Sequence, residues 1–292
     1  MSGRPHTSVM LAEVTGLLSP APGRRFLDCT LGAGGHTEAL LAAGAEVHGI
    51  DRDPRARELA QQRLAGFANR LTVGGGTFST AAERLIAEGV RFHGVIADLG
   101  VSSMQIDAEG RGFSLRDTVS ADMRMGDGCA SDALELIDSL HETDLADIIF
   151  RYGEERLSRR IASGLKRART AGVTSSAGLA EAIRRCVPGH QPRHPALRTF
   201  QALRIAVNDE MGELERLLAA LPKLVQPSGR AVVISFHSLE DRQVKLAQRA
   251  QHAAHVWAEI SRRVVTPSES EIEANPRSHS AKLRWALAKE AA

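Results

Sequence analysis

The segment Arg25-Phe-Leu-Asp-Cys-Thr-Leu-Gly-Ala-Gly-Gly-His36 decides the fold of this chain. It begins with a short apolar run that ends at Gly32, the pattern of a buried strand. Helix-forming residues follow from His36 to Ala43. Glycines between a strand and a helix allow a tight turn and bring the backbone close to a ligand. The segment therefore predicts the strand–loop–helix unit that opens nucleotide-binding α/β domains.

The alternation of strands and helices continues to about residue 100. Further strands are predicted at residues 46–50, 70–73 and 93–97, and helices at residues 56–64 and 81–87 lie between them. This order predicts a parallel sheet with helices on both faces. The fold class is therefore α/β, with a Rossmann-like sheet.

Helical patterns replace the strands between residues 105 and 206. Helices are predicted over residues 131–140, 142–150, 155–168 and 177–186, and a long helix over Thr199–Leu221 has its apolar residues along one stripe. Strands return at residues 230–236, after a turn at 226–229, and at residues 282–288. We interpret residues 105–206 as a helical domain inserted into an α/β domain formed by residues 1–104 and 207–292. Two consecutive domains are the alternative.

Composition excludes several classes of protein. Apolar runs are far shorter than the ~20 residues of a membrane span, and the first ten residues lack the apolar region of a signal peptide. Cys29, Cys129 and Cys186 are far apart in the sequence, which excludes a disulfide scaffold and a cysteine-only zinc site. No histidine spacing indicates another metal site. We therefore expect a cytoplasmic protein without membrane attachment and without a bound metal.

Charge is distributed unevenly along the chain. Residues 105–150 contain 11 Asp and Glu against 3 Arg, whereas residues 151–204 contain 12 Lys and Arg against 3 Glu. Such asymmetry indicates a basic face for a polyanion such as nucleic acid. A solvated helical surface whose charges offset those of a neighbour is the alternative.

Acidic side chains end two of the predicted strands. Asp51 follows the second strand, where a carboxylate can accept hydrogen bonds from both hydroxyls of an adenosine ribose. The alternative for Asp51 is a helix N-cap, but Asp53 fills that role better because Pro54 follows it. Asp98 ends the fourth strand and should face a partner or a cleft, since an unpaired buried carboxylate is costly. Phe78 is expected either to pack on an adenine ring or to begin the apolar stripe of the next helix.

These residues fit an adenosine-containing cofactor, either NAD or S-adenosylmethionine. Over nearly its whole length, the chain also resembles one family, the bacterial 16S ribosomal RNA cytosine N4-methyltransferases. The resemblance rests on ordered motifs at residues 6–10, 28–36, 50–54, 98–103, 111–114, 122–125, 152–156, 194–201, 234–242 and 275–278.

The resemblance implies S-adenosylmethionine as the cofactor. Its predicted contacts are Gly34, Gly35, His36, Asp51, Phe78, Asp98 and Gln105. His36 and Gln105 enter through the resemblance alone. The resemblance further implies that the inserted helical domain recognises the RNA, and that the substrate is a cytosine in the decoding region of 16S ribosomal RNA, within the small ribosomal subunit. The chain is expected to act as a monomer or a homodimer.

Transfer of a methyl group from a sulfonium to an amine depends mainly on alignment, because the leaving group is neutral. A hydrogen-bond acceptor beside the amine takes up the charge that develops there. Asp98 is the candidate catalytic residue, and the backbone carbonyls of Leu99 and Gly100 are alternative acceptors. Two other functions compete: a nicotinamide-dependent dehydrogenase, and an RNA-binding assembly factor without turnover. The glycine spacing and the basic inserted domain favour the methyltransferase.

Overall fold

A computed structural model of the chain describes residues 8–101, 110–126, 128–189 and 191–290. The described residues form two compact units. The first combines residues up to Gly100 with those from Met211 onward, and the second runs from Val101 to Glu210. Within these ranges, every helix is too short or too polar to cross a bilayer.

The first unit is built on a sheet whose described strands number seven. In chain order they are β1 (Arg25–Asp28), β2 (Glu46–Asp51), β3 (Leu71–Gly75), β4 (Phe92–Asp98), β5 (Val225–Ser235), β6 (Trp257–Ile260) and β7 (Lys282–Ala288). Their spatial order is β3-β2-β1-β4-β5-β7-β6. Strands β1 to β5 are parallel, and β7 runs antiparallel to both β5 and β6. The order 3-2-1-4-5 is that of Rossmann-like sheets, so the predicted α/β fold class is confirmed.

The described helices are numbered in chain order across both units. They are α1 (Leu11–Leu18), α2 (Gly35–Ala42), α3 (Pro54–Arg63), α4 (Phe78–Ala87), α5 (Ala133–Ser139), α6 (Glu142–Gly153), α7 (Ser158–Thr170), α8 (Ser176–Cys186), α9 (Ala196–Asn208), α10 (Glu210–Leu224), α11 (Ser238–Ala253) and α12 (Glu269–Ala274). Helices α5 to α9 belong to the second unit.

Both faces of the sheet are buried. One apolar cluster joins the sheet to α4, α10 and α11, and another joins it to α1, α2 and α3. In β4, Val95 and Ala97 belong to the first cluster and Ile96 to the second. This alternation follows from the two-residue period of a strand, and burial on both sides explains why the strands read as continuous apolar runs.

The long helix predicted over Thr199–Leu221 is wrong, because the segment forms two helices. Asp209 lies between α9 and α10 with a φ of 49°. This left-handed conformation ends a helix, and Asp adopts it more readily than most residues. The apolar stripe alone did not show the break.

Strand β5 begins earlier than predicted. The residues 226–229, predicted as a turn, lie within β5 beside an irregularity in its pairing with β4, where Val225 faces Phe92 and Arg230 faces Gly94. An irregularity of this kind keeps a strand continuous while placing extra residues on one side.

The second unit has an apolar core of its own, to which α5 to α9 all contribute. Asn208, at the end of α9, is buried and ties this unit together. Its Nδ2 donates to the carbonyls of Met123 and Arg204, each at 2.8 Å, and its Oδ1 accepts from the N–H of Met125 at 2.8 Å.

Replacing Asn208 with Ala is expected to lower the free energy of unfolding by about 2–4 kcal/mol, because buried backbone groups of Met123 and Met125 lose their partner. Urea unfolding of the purified protein measures this change. The exposed Asn69 provides the control, since its replacement by Ala should change the value by less than about 0.5 kcal/mol. An unchanged midpoint for Asn208→Ala would contradict the role assigned to it.

Candidate functional site

Three carboxylates lie at the carboxyl edge of the sheet. Asp28, Asp51 and Asp98 are the last residues of β1, β2 and β4. Ligands of open parallel sheets bind at this edge. Burial raises the pKa of all three groups, and the negative charge of Asp28 adds to the rise at Asp51 and Asp98. The edge is therefore an acidic site suited to a ligand with a positive charge or hydrogen-bond donors.

Asp51 holds the glycine loop in place. The N–H of Gly32 donates to its Oδ2 at 2.8 Å, and the N–H of Asp53 donates to its Oδ1 at 2.8 Å. The side chain of Asp53 caps α3 by accepting from the N–H of Arg55 at 3.1 Å, with Pro54 as the first helical residue. Asp53 thus takes the capping role, as predicted. Each oxygen of an ionised carboxylate has two lone pairs, so Asp51 retains acceptor capacity for ribose hydroxyls.

Gly34 and Gly35 lie in the tightest part of the loop. Gly34 has a φ of 81° and precedes α2. A Cβ on Gly34 would lie 2.8 Å from Cδ1 of Leu64, and a Cβ on Gly35 would lie 2.0 Å from Oγ of Ser8. Both positions therefore favour glycine, because the space that a Cβ would fill is taken by Leu64 at Gly34 and by Ser8 at Gly35.

Replacing Gly35 with Ala is expected to destabilise the protein by about 1–3 kcal/mol, because the added methyl group overlaps the Ser8 hydroxyl. Ser8→Ala removes that oxygen and leaves the Cβ of residue 8 at 3.4 Å. The double variant should therefore recover most of the loss in thermal unfolding. A double variant no more stable than Gly35→Ala would show that the clash lies elsewhere.

His36 connects the N-terminal segment to Asp98. The ring is buried, and its Nε2 lies 2.9 Å from the carbonyl oxygen of Val9. Because a carbonyl only accepts hydrogen bonds, Nε2 carries a hydrogen. Nδ1 lies 3.9 Å from Oδ2 of Asp98. The ring therefore places Nδ1 next to the Asp98 carboxyl group.

Asp98 has a strongly perturbed carboxyl group. Burial, together with the charges of Asp28 and Glu240, raises its pKa to about 8. Its backbone N–H donates to Oγ1 of Thr30 at 2.7 Å. Its Oδ1 is buried and lacks a hydrogen-bond partner among the described residues. A buried oxygen without a partner is costly and is characteristic of functional sites, so Oδ1 is available to a ligand.

Two predicted contacts are placed less sharply. Phe78 is the first residue of α4 and packs, partly buried, against the apolar cluster on that face of the sheet. This packing agrees with the apolar-stripe interpretation and leaves part of the ring accessible. Gln105 lies outside the described residues and stays a prediction.

Two residues that stabilise this edge through hydrogen bonds, Asp28 and Thr30, were not predicted from the sequence. Asp28 accepts from Oγ1 of Thr37 at 2.7 Å and from the N–H of Thr30 at 3.1 Å, so Thr30 links Asp28 to Asp98. Because these bonds join different strands and a helix, spacing alone gives no sign of them.

A capping box begins α11, next to the end of β5. The Nδ1 of His237 accepts from the N–H of Glu240 at 3.3 Å, and Oε2 of Glu240 accepts in return from the N–H of His237 at 3.3 Å. The same Oε2 also accepts from the N–H of Phe236 at 2.8 Å. Glu240, three residues after the N-cap, is typical of a capping box. The motif was not recognised in the sequence because its first residue is His237 and not Ser or Thr.

Comparison with known proteins adds the family. Residues 3–289 match the model of the MraW methylase family. The chain belongs to this family. The family predicted from the sequence motifs is therefore confirmed.

Family members of known name are similar over nearly the whole chain. Ribosomal RNA small subunit methyltransferase H of Sorangium cellulosum is 48% identical over 289 residues, which cover 97% of this chain and 91% of the relative. The protein of the same name from Deinococcus deserti is 48% identical over 284 residues, covering 96% and 92%. A SAM-dependent O-methyltransferase from Thermotoga maritima, whose crystal structure is known, aligns with a TM-score of 0.45 and 10% identity, covering 100% of this chain and 69% of that one.

Proposed function

We propose that this member of the MraW methylase family transfers a methyl group from S-adenosylmethionine to the N4 amine of a cytosine in 16S ribosomal RNA. The observation that carries the proposal is the buried, unpartnered Oδ1 of Asp98 beside the glycine loop. The names of relatives at 48% identity support small-subunit ribosomal RNA as the substrate. The choice of cytosine N4 rests on the resemblance of the motifs and on the acceptor chemistry of Asp98.

The residues at the edge of the sheet fit the cofactor. Asp51 keeps lone pairs for two ribose hydroxyls, and it holds the glycine loop beside it through the N–H of Gly32. The acidic edge suits a positively charged ligand, and Oδ1 of Asp98 lacks a hydrogen-bond partner among the described residues. When bound, S-adenosylmethionine supplies an activated methyl group on a sulfonium.

Asp98 is proposed to act on the amine. The lone pair of a cytosine amine is delocalised into the ring, which makes the nitrogen a poor nucleophile. A carboxylate oxygen that accepts a hydrogen bond from this N–H favours localisation of the lone pair and stabilises the charge that develops during attack. The carbonyls of Leu99 and Gly100 are the next acceptors along the chain. Alignment of the two reactants contributes the larger part of the lowering of the activation barrier, up to roughly 7–11 kcal/mol in favourable systems.

The second unit is proposed to recognise the RNA. It contains the basic segment from Arg151 to Arg204, in which 12 Lys and Arg stand against 3 Glu. A polyanion is the ligand that such a surface favours. The small ribosomal subunit is the proposed form of the substrate.

The decisive experiment supplies labelled S-adenosylmethionine to small ribosomal subunits that lack the modification, and locates the labelled nucleoside by mass spectrometry. The expected product is N4-methylcytidine at one position. Label on another base would overturn the proposed N4 specificity, whereas RNA binding without any label would favour an assembly factor. Calorimetry tests the dehydrogenase alternative, since binding of NAD and not of S-adenosylmethionine would contradict the proposal.

A further inference from the structure

The 12 Lys and Arg of residues 151–204, within the second unit, fall into two groups. In the first group, each side chain is already paired within the unit. Arg169 forms an ion pair with Asp138, Arg204 one with Glu210, and Arg184 and Arg185 share Glu181. Lys166 donates to the carbonyls of Asp138 and Leu140, and Arg167 donates to Oγ of Ser163. The donors of these residues are therefore already engaged within the unit.

The second group consists of exposed arginines that lack a side-chain hydrogen-bond or ion-pair partner among the described residues. They are Arg151, Arg156, Arg159, Arg160, Arg193 and Arg198, hereafter the arginine cluster. An exposed arginine without an acidic partner keeps its full charge and its hydrogen-bond donors available to a ligand.

Five members of the arginine cluster lie in or beside the loop between α6 and α7. Arg151 lies in the last turn of α6, and Arg159 and Arg160 lie in the first turn of α7, with a short loop between them. Arg198, in the first turn of α9, donates from Nη1 to the carbonyl of Glu154 in that loop at 3.3 Å. Gly153 and Arg198 pack so closely that a Cβ on Gly153 would lie 2.6 Å from the Arg198 carbonyl oxygen. The ends of three helices thus meet at this loop.

The loop between α6 and α7 contains two acids, Glu154 and Glu155. Oε1 of Glu155 accepts from the N–H of Leu157 at 2.9 Å. Residues 151–160 therefore contain four arginines against two acids, an excess of positive charge.

Large apolar side chains are exposed beside these arginines. Phe150 is 59% exposed and precedes Arg151, and Leu197 is 47% exposed and precedes Arg198. The guanidinium of Arg151 lies 5.4 Å from the ring centroid of Tyr152. Exposed aromatic rings between arginines are typical of surfaces that bind single-stranded nucleic acid, where bases stack on the rings and phosphates meet the cations.

We propose that the arginine cluster and Phe150 bind a single-stranded segment of the RNA substrate, with phosphates on the arginines and one base stacked on Phe150. A single strand fits better than a duplex, because bases within a duplex are already stacked and leave no face for Phe150. The proposal rests on the proposed function and deepens it, since it assigns the surface of the second unit that receives the RNA.

The test compares two pairs of adjacent arginines that carry the same charge. Arg159→Gln/Arg160→Gln removes two members of the cluster, and Arg184→Gln/Arg185→Gln removes two exposed arginines that are paired with Glu181. RNA affinity is measured by fluorescence anisotropy over a range of salt concentrations, with a single-stranded fragment of 16S ribosomal RNA. The logarithm of the binding constant falls linearly with the logarithm of the salt concentration, and each lost phosphate contact should make this slope shallower by about 0.7. Arg159→Gln/Arg160→Gln should therefore make the slope shallower by about 1.4, and the control variant Arg184→Gln/Arg185→Gln should leave it nearly unchanged.

Phe150→Ala tests the stacking contact separately. Affinity should fall about 5- to 100-fold with the salt slope unchanged, because stacking involves no phosphate. Leu246, which is 58% exposed in the first unit, provides the control, and Leu246→Ala should have no effect. Equal losses in both arginine pairs, or unchanged affinity in Phe150→Ala, would overturn the proposal.

Failure of this proposal and failure of the proposed function are distinguishable. If the unaltered protein methylates small subunits while the cluster variants bind RNA normally, only the surface is wrong. If no methyl group is incorporated although the cluster variants lose RNA affinity as expected, the proposed function is wrong and the surface stands. Calorimetry with S-adenosylmethionine should give the same affinity for every variant, which confirms that each is folded.

Discussion

Asp98→Asn is expected to lower the rate of methyl transfer by about 100- to 1,000-fold, the range seen when one preorganised stabilising group is removed from an active site. The amide keeps the shape of the side chain but is a much weaker acceptor for the amine N–H. Single-turnover methylation of small ribosomal subunits measures the effect. Asp147→Asn, on the exposed surface of α6, provides the control and should retain full activity. An Asp98→Asn protein with near-normal rates would assign the acceptor role to the carbonyls of Leu99 and Gly100.

The same substitution should make the protein more stable. The pKa of Asp98 is raised from 3.8 to about 8 by burial and by the charges of Asp28 and Glu240, so the folded state binds a proton that the unfolded state releases over this range. The favourable contribution of protonated Asp98 is complete below pH 3.8 and is lost as the pH rises through about 8. Asn carries no charge and avoids this loss.

The stability gain of Asp98→Asn should therefore grow between about pH 4 and pH 8 and become constant above that range. Thermal unfolding at several pH values measures it. The rate of the unaltered enzyme should increase with pH through about 8, as the carboxylate forms. A variant that loses stability at pH 8 would show that the carboxyl group makes favourable contacts in its charged form.

Asp51→Ala is expected to weaken binding of S-adenosylmethionine about 10- to 150-fold. The estimate corresponds to about 1.5–3 kcal/mol for hydrogen bonds to a charged group. The variant also releases the N–H groups of Gly32 and Asp53, which the carboxylate holds in place. Titration calorimetry with S-adenosylmethionine measures the affinity.

Asp53→Ala is the matched control for Asp51→Ala. It removes the N-cap of α3 and should cost about 0.5–2 kcal/mol of stability while leaving cofactor affinity nearly unchanged. If the two variants bind the cofactor equally well, Asp51 serves only to fix the loop, and its proposed ribose contact is wrong.

The parallel part of the sheet could be predicted from the sequence because its strands are buried on both faces and appear as apolar runs. Strand β6 could not, since Trp257 is buried whereas Ala258 and Glu259 are exposed, and four residues at a sheet edge give no clear period. The break at Asp209 was missed for a related reason, because one left-handed residue interrupts a helix without altering its apolar stripe.

The site could be predicted only in part. Strand order brings the ends of β1, β2 and β4 to one edge, so Asp51 and Asp98 could be found from the elements that precede them. The links through Thr30 and from Val9 to His36 depend on tertiary contacts that no local pattern records. The charge count found the basic segment, but it could not separate the paired Lys166 and Arg167 from the unpaired Arg159 and Arg160.

The segment from Ser8 to Met10 has a practical consequence for anyone who prepares this protein. The carbonyl oxygen of Val9 accepts a hydrogen bond from Nε2 of His36, and the side chain of Ser8 lies against Gly35. The N–H of Met10 donates to Oε1 of Glu271 at 2.6 Å. Removal of residues up to 10, or an affinity handle fused near that point, would remove or strain these contacts with Gly35 and His36, which lie beside the acidic edge. Purification handles therefore belong at the other terminus, and weak activity in an N-terminal fusion should be checked after the handle is removed.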